Sequence, residues 1–155
     1  MKPEDTIDFH IRWAWSKISK GYNIEASKNG GTMAIGYVLL NIDKDGTPST
    51  KLGPRMGIEP TSLSRILKNM ENNKLIRRKQ DKDDKRVVKI ILTPQGQEMR
   101  EVSKKVVINF NENIRSMIPR DKLNTFFEVM REINQILENN PFEKKQPTRI
   151  LKSRK

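Results

Sequence analysis

From about Asp5 to Ser27, apolar side chains recur at steps of three and four: Ile7, Ile11, Ala14, Ile18 and Tyr22, with Trp15 beside them. That period predicts an amphipathic helix. Asn29-Gly30-Gly31 ends it, and Thr32 is placed to cap a second helix running to about Asp43. The second segment is apolar almost all round, the pattern of a helix buried on most sides. After Lys44-Asp45-Gly46, Thr47-Pro48 reads as an N-cap followed by proline at the first helical position. The helix it would start ends at Met56, with Gly57 as its C-terminal punctuation. Pro54 removes a backbone hydrogen bond inside it, so a short, kinked or partly 3₁₀ helix is expected. Pro60 opens a further helix, from about Glu59 to Asn73, with Leu63, Ile66, Leu67 and Met70 on its apolar face.

From Leu75 the period changes. Leu75-Ile76-Arg77-Arg78-Lys79 and Val87-Val88-Lys89-Ile90-Ile91-Leu92 are β-compatible, and the seven charged or polar residues 80–86 between them are too many for a tight hairpin. Thr93-Pro94 then caps a long helix to about Met117, Pro119 breaks it, and a last helix covers roughly Asp121 to Asn139. The expected fold is mostly α, about six helices with one small β-hairpin. Residues 1–46 supply N-terminal helices for dimerisation and core, and residues 47–93 form a compact module. Residues 94–140 supply C-terminal dimerisation helices, and 141–155 a basic flexible tail.

Charge sharpens this division. Of the net +12, residues 51–93 carry twelve Lys and Arg against five Asp and Glu, and residues 143–155 carry six against one. The segments 1–50 and 94–142 are each neutral. Excess charge gathered in one central block and one tail suits a surface that neutralises phosphates. No run approaches the roughly 18 apolar residues of a membrane span. Met1-Lys2-Pro3-Glu4-Asp5 lacks the order of a signal peptide, so a cytoplasmic protein is expected. With no cysteine and a single histidine, disulfides, thiolate sites and a metal cofactor are not expected. No acid, base and nucleophile constellation suggests an enzyme.

Two short helices around Gly57, followed by a charged two-stranded ribbon, spell a helix-turn-helix with a wing. On the 60–73 helix, the side opposite the apolar stripe holds Thr61, Arg65, Lys68 and Asn72, flanked by Ser62, Ser64 and Asn69, with no carboxylate. Arginine can read guanine, and serine or threonine can serve bases or phosphates. Thr61, Ser62, Ser64 and Arg65 are therefore the expected base or near-base contacts, and Lys68 and Asn69 phosphate contacts. In the wing, Asp81 or Asp84 is expected to bond loop amides or to orient Arg86, which would enter a minor groove. Arg77, Arg78, Lys79 and Lys85 would meet phosphates. The tail from Lys144 is expected either to add phosphate contacts or to serve solubility alone.

Residues 47–96 resemble the winged-helix core of the multiple-antibiotic-resistance-regulator (MarR) family. The resemblance rests on Gly57 to Arg65, on Leu75-Ile76-Arg77-Arg78, and on Asp81-Lys82-Asp83-Asp84-Lys85-Arg86 with Leu92-Thr93-Pro94-Gln95-Gly96 behind it. The family's wing commonly reads Asp-Pro-x-Asp-Arg-Arg; Asp81, Asp84 and Arg86 match, Lys82 replaces the proline, and Lys85 keeps the charge. Gly53-Pro54 departs from the usual helix-forming pair. The resemblance implies a transcription regulator, commonly a repressor, acting as a homodimer on a pseudo-palindromic site in double-stranded DNA. The neutral, apolar flanking helices fit dimerisation independently. The resemblance also implies a small aromatic or anionic effector between platform and module, for which His10, Trp13, Trp15, Met33 and Tyr37 are candidates, core packing being the alternative role of each. An architectural or RNA-binding winged helix remains a second reading, and docking on protein a third.

Overall fold

The computed structural model describes residues 1–139; the basic tail expected over 141–155 lies outside the described residues. The chain divides into two compact units, Met1–Phe110 and one beginning at Asn111. In the first unit, a 3₁₀ turn at Pro3–Asp5 precedes α1 (Ile7–Ser27) and α2 (Met33–Asn41). Next come β1 (Thr47–Pro48), α3 (Ser49–Met56), α4 (Pro60–Asn72), β2 (Ile76–Gln80) and β3 (Val88–Leu92). Helix α5 (Pro94–Met117) passes into the second unit, which also holds α6 (Arg120–Glu138).

The six expected helices are present, and the sheet has one strand more than a hairpin. It is antiparallel in the order β1-β3-β2, with Thr47 opposite Ile90 and Arg78 opposite the same residue from the other side. Thr47-Pro48 therefore does not open α3 as the sequence suggested. The Thr47 hydroxyl turns back instead, accepting from the Asp43 amide (2.8 Å) and donating to its carboxylate (3.0 Å). With that side chain fully buried, Thr47 is held in a strand. Pro48, which has no N–H to offer, suits the edge position.

Helix α3 is short, as Pro54 requires, but α-helical over all eight residues. Pro54 has no N–H, so the bond to the Thr50 carbonyl is lost. Gly57 then takes the left-handed conformation (φ 63°) and turns the chain toward α4.

The core joins Val38 and Leu39 of α2, and Ile42 just after it, to Leu52, Leu63, Leu67, Met70, Ile76, Ile90 and Leu92. Each such Leu or Ile stabilises the fold by roughly 1.5–3 kcal/mol. The core thus extends ahead of residue 47, and α2 is part of what holds α4 in place. Helix α4 closes in a Schellman turn: Leu75 N–H reaches Met70 O (2.9 Å) and Lys74 N–H reaches Glu71 O (3.0 Å). Lys74 occupies the left-handed position there (φ 57°).

Thr93 seats α5 on this turn. Its hydroxyl donates to Lys74 O (2.6 Å) and accepts from the Gly96 amide (3.0 Å), and its own N–H donates to Leu75 O (3.0 Å). In contrast, α1 and α6 bury no residue, and α5 buries only Gly96.

In the second unit, Phe126 and Phe127 meet edge to face at 5.4 Å, and the Arg115 guanidinium lies over Phe127.

Candidate nucleic-acid interface

Leu63, Leu67 and Met70 anchor α4, so its opposite face is presented outward by the 3.6-residue period itself. Thr61, Ser64, Arg65, Lys68 and Asn69 are all exposed there, and Ser62 is half-buried. Asn69 is partly engaged, since its side-chain oxygen accepts from the Asn73 amide group (3.1 Å).

The ribbon is exposed from Arg77 to Gln80. Arg78 is drawn back by Glu71, Nε to Oε2 at 3.2 Å, so of the expected phosphate contacts it is already ion-paired. Arg77, Lys79 and Lys85 are exposed.

The wing loop is built on two aspartates. Asp81 Oδ1 accepts from the amides of Asp83 (2.9 Å) and Asp84 (3.1 Å), and Oδ2 pairs with Lys89 of β3. The Lys89 ammonium, followed by the two amides, holds the Asp81 carboxyl down at about 2. Asp84 accepts from the Arg86 amide (3.0 Å) and grips its guanidinium through both oxygens, at 3.1 and 3.2 Å. Those contacts with Arg86 lower the Asp84 carboxyl below its ordinary value. The Arg86 side chain is nonetheless 92% exposed, so its heading is set while its donors stay open to a partner. Two of the three wing carboxylates are consumed in shaping the loop. Lys89 is not among the expected site residues; it faces Lys79 across the ladder, a pairing of two cations that needs an anion nearby.

A second knot fixes α3. Arg55 Nη1 donates to Asn41 O (2.8 Å) and to both Asp43 carboxylate oxygens (3.1 Å each). The Thr47 hydroxyl and then Arg55 hold the Asp43 carboxyl below its usual range.

The effector candidates separate into two places. Trp15, Met33 and Tyr37 line an apolar cavity of about 640 Å³ inside the first unit, with Tyr22, Met56, Gly57 and Met99. His10 and Trp13 do not line it. His10 Nε2 hydrogen-bonds Glu4 O (2.7 Å), and Trp13 stacks on Phe9 with Lys17 over its ring. Among the described residues no lysine, arginine or histidine lines the cavity, so the anionic half of the expectation finds no cation among them. Among the described residues, no group of three or more His, Cys, Asp or Glu is placed to hold a metal ion, and no helix is long and apolar enough to cross a membrane.

Residues 38–88, which span α3, α4 and the start of β3, match the MarR family model. The HTH-type transcriptional regulator YdgJ of Bacillus subtilis (strain 168), itself described as uncharacterized, is 22% identical over 119 residues, 77% of this chain and 73% of that protein. The S. aureus MepR–DNA complex matches with a TM-score of 0.78 at 18% identity, covering 85% of this chain and 98% of the other. CouR from Rhodococcus jostii RHA1 bound to p-coumaroyl-CoA matches with a TM-score of 0.74 at 20% identity, covering 86% and 94%. These two structural likenesses show a shared fold.

Proposed function

We propose, from the match of residues 38–88 to the MarR family model, that this chain is a transcription regulator of that family, not an enzyme, that represses as a homodimer on a pseudo-palindromic operator in double-stranded DNA. The observation that carries the reading is the wing. Asp84 holds Arg86 in a fork yet leaves it almost wholly exposed, on the same module as the carboxylate-free face of α4. Arg65, with Thr61, Ser62 and Ser64, reads base edges in the major groove. Arg86 reaches a minor groove, and Lys68, Asn69, Arg77, Arg78 and Lys85 hold phosphates.

The homodimer is supported by apolar side chains left uncovered on α1, α5 and α6. Ile7, Trp13, Met117, Phe126, Ile136 and Leu137 are each more than half exposed, far beyond scattered surface hydrophobics. The apolar cavity supports release by a small molecule, and such a regulator acts in the cytoplasm, beside the genome.

Selection of bound duplexes from a random library tests the reading. A palindrome with half-sites about one helical turn apart is the expected product. Recovery of no motif would favour an architectural or RNA-binding role.

A further inference from the structure

The cavity of the first unit is walled by ring and sulfur-bearing side chains, among them Trp15, Tyr22, Met33 and Tyr37. Among the described residues the one formal charge in its lining is Glu25, whose carboxylate pairs with Lys28 at 2.6 Å. The N-terminus of α2 also opens on this space at Thr32 and Met33, and a helix N-terminus is the natural seat for an anion. Two of its amides are already engaged: Met33 N–H donates to Asn23 Oδ1 (3.0 Å) and Ile35 N–H to Thr32 Oγ1 (3.2 Å). An entering anion would leave water for a wall whose one formal charge among the described residues is a carboxylate, and no lysine, arginine or histidine of those residues lines it to offset the cost. An uncharged ring loses little water and meets aromatic faces and polarizable sulfur.

The wall nearest the recognition helix is thin. Thr32, Ala34 and Ile35 line both this cavity and a smaller cleft of about 240 Å³, whose other side is Arg65, Ile66 and Asn69 of α4. One helical turn therefore separates a molecule in the cavity from an expected base contact.

We infer that the cavity takes an uncharged, ring-containing molecule, and that the first turn of α2 carries its presence to Arg65. The inference rests on the effector reading and narrows it. The full chain is titrated by calorimetry with three probes of one ring system: 2-naphthol, 2-naphthoate and 2-naphthylmethylammonium. Naphthol is expected to saturate one site, with both charged probes at least tenfold weaker. Naphthoate binding as tightly as naphthol, or no binding of naphthol, overturns the ligand class. Glu25→Lys, on a helix that buries no residue, should strengthen naphthoate several-fold; an unchanged value places the probe elsewhere and counts against the cavity.

Operator binding is measured in parallel. Naphthol should weaken it in the wild type, and Thr32→Val, which keeps the cavity but loses the cap, should bind naphthol with a smaller effect on DNA. Selective naphthol binding with unchanged operator affinity overturns the transmission and the effector reading together, while leaving the charge selectivity standing.

Discussion

A Cβ built on Gly96 would lie 1.9 Å from the carbonyl oxygen of Leu75, so the first turn of α5 touches the turn between α4 and β2 backbone to backbone. No side chain can be accommodated there without moving one element off the other. Gly96→Ala should lower stability by about 1–3 kcal/mol or more. Thermal melts at matched protein concentration check this; an unchanged melting temperature would show that the turn yields freely.

Lys74 is the opposite case, a side-chain-bearing residue in a conformation that favours glycine. Lys74→Gly relieves the strain, partly offset by greater freedom in the unfolded chain, and should raise stability by up to about 1 kcal/mol. Urea titration reads the gain as a higher midpoint at constant slope.

The wing should resist acid. Asp81 is held at about 2 by Lys89 and the amides of Asp83 and Asp84. A carboxyl depressed on folding contributes stability that is fully present above its unfolded value of about 3.9 and is lost as pH falls through the folded one. The Asp83 and Asp84 amide resonances should therefore titrate with a midpoint near 2. Asp81→Asn should abolish that titration and weaken DNA binding at neutral pH. A midpoint near 4 would contradict the anchoring described.

Two arginines should fail differently. Arg65→Ala is expected to cost about 1–3 kcal/mol against the preferred site and to relax its sequence preference. Arg86→Ala should weaken operator binding by a similar amount or more while the oligomeric state is unchanged. Gel-shift titrations against matched and mismatched duplexes separate them, and wild-type affinity in Arg86→Ala would sink the wing assignment.

Charge placed on the uncovered apolar surface should break the proposed dimer. Phe126→Asp with Ile136→Asp should raise its dissociation constant about a hundredfold or more, since roughly 3 kcal/mol of apolar contact is lost. Light scattering after size exclusion reads the mass. A double variant that stays dimeric places the interface elsewhere.

The order and type of the six helices were legible from periodicity and capping residues, because these depend on neighbours three and four positions apart. So were the outward face of α4 and the local role of Asp81 and Asp84, since a loop aspartate bonds amides two and three residues on. Tertiary structure decided what depends on distant partners. Thr47-Pro48 carries the local signs of a helix start, yet Ile90 and Lys89 lie alongside and draw it into a strand. Lys89 became the anchor of the wing only when folding set it beside Asp81, and Arg78 became an ion-paired residue only beside Glu71. The single aromatic cluster imagined for an effector divided, Trp15 facing the cavity and Trp13 stacking on Phe9, because residues two apart on a helix point about 200° apart. Sequence alone therefore determined which residues of this protein face outward on α4 and shape the wing; the packing of α2 against α4 decided how they are held and what lies behind them.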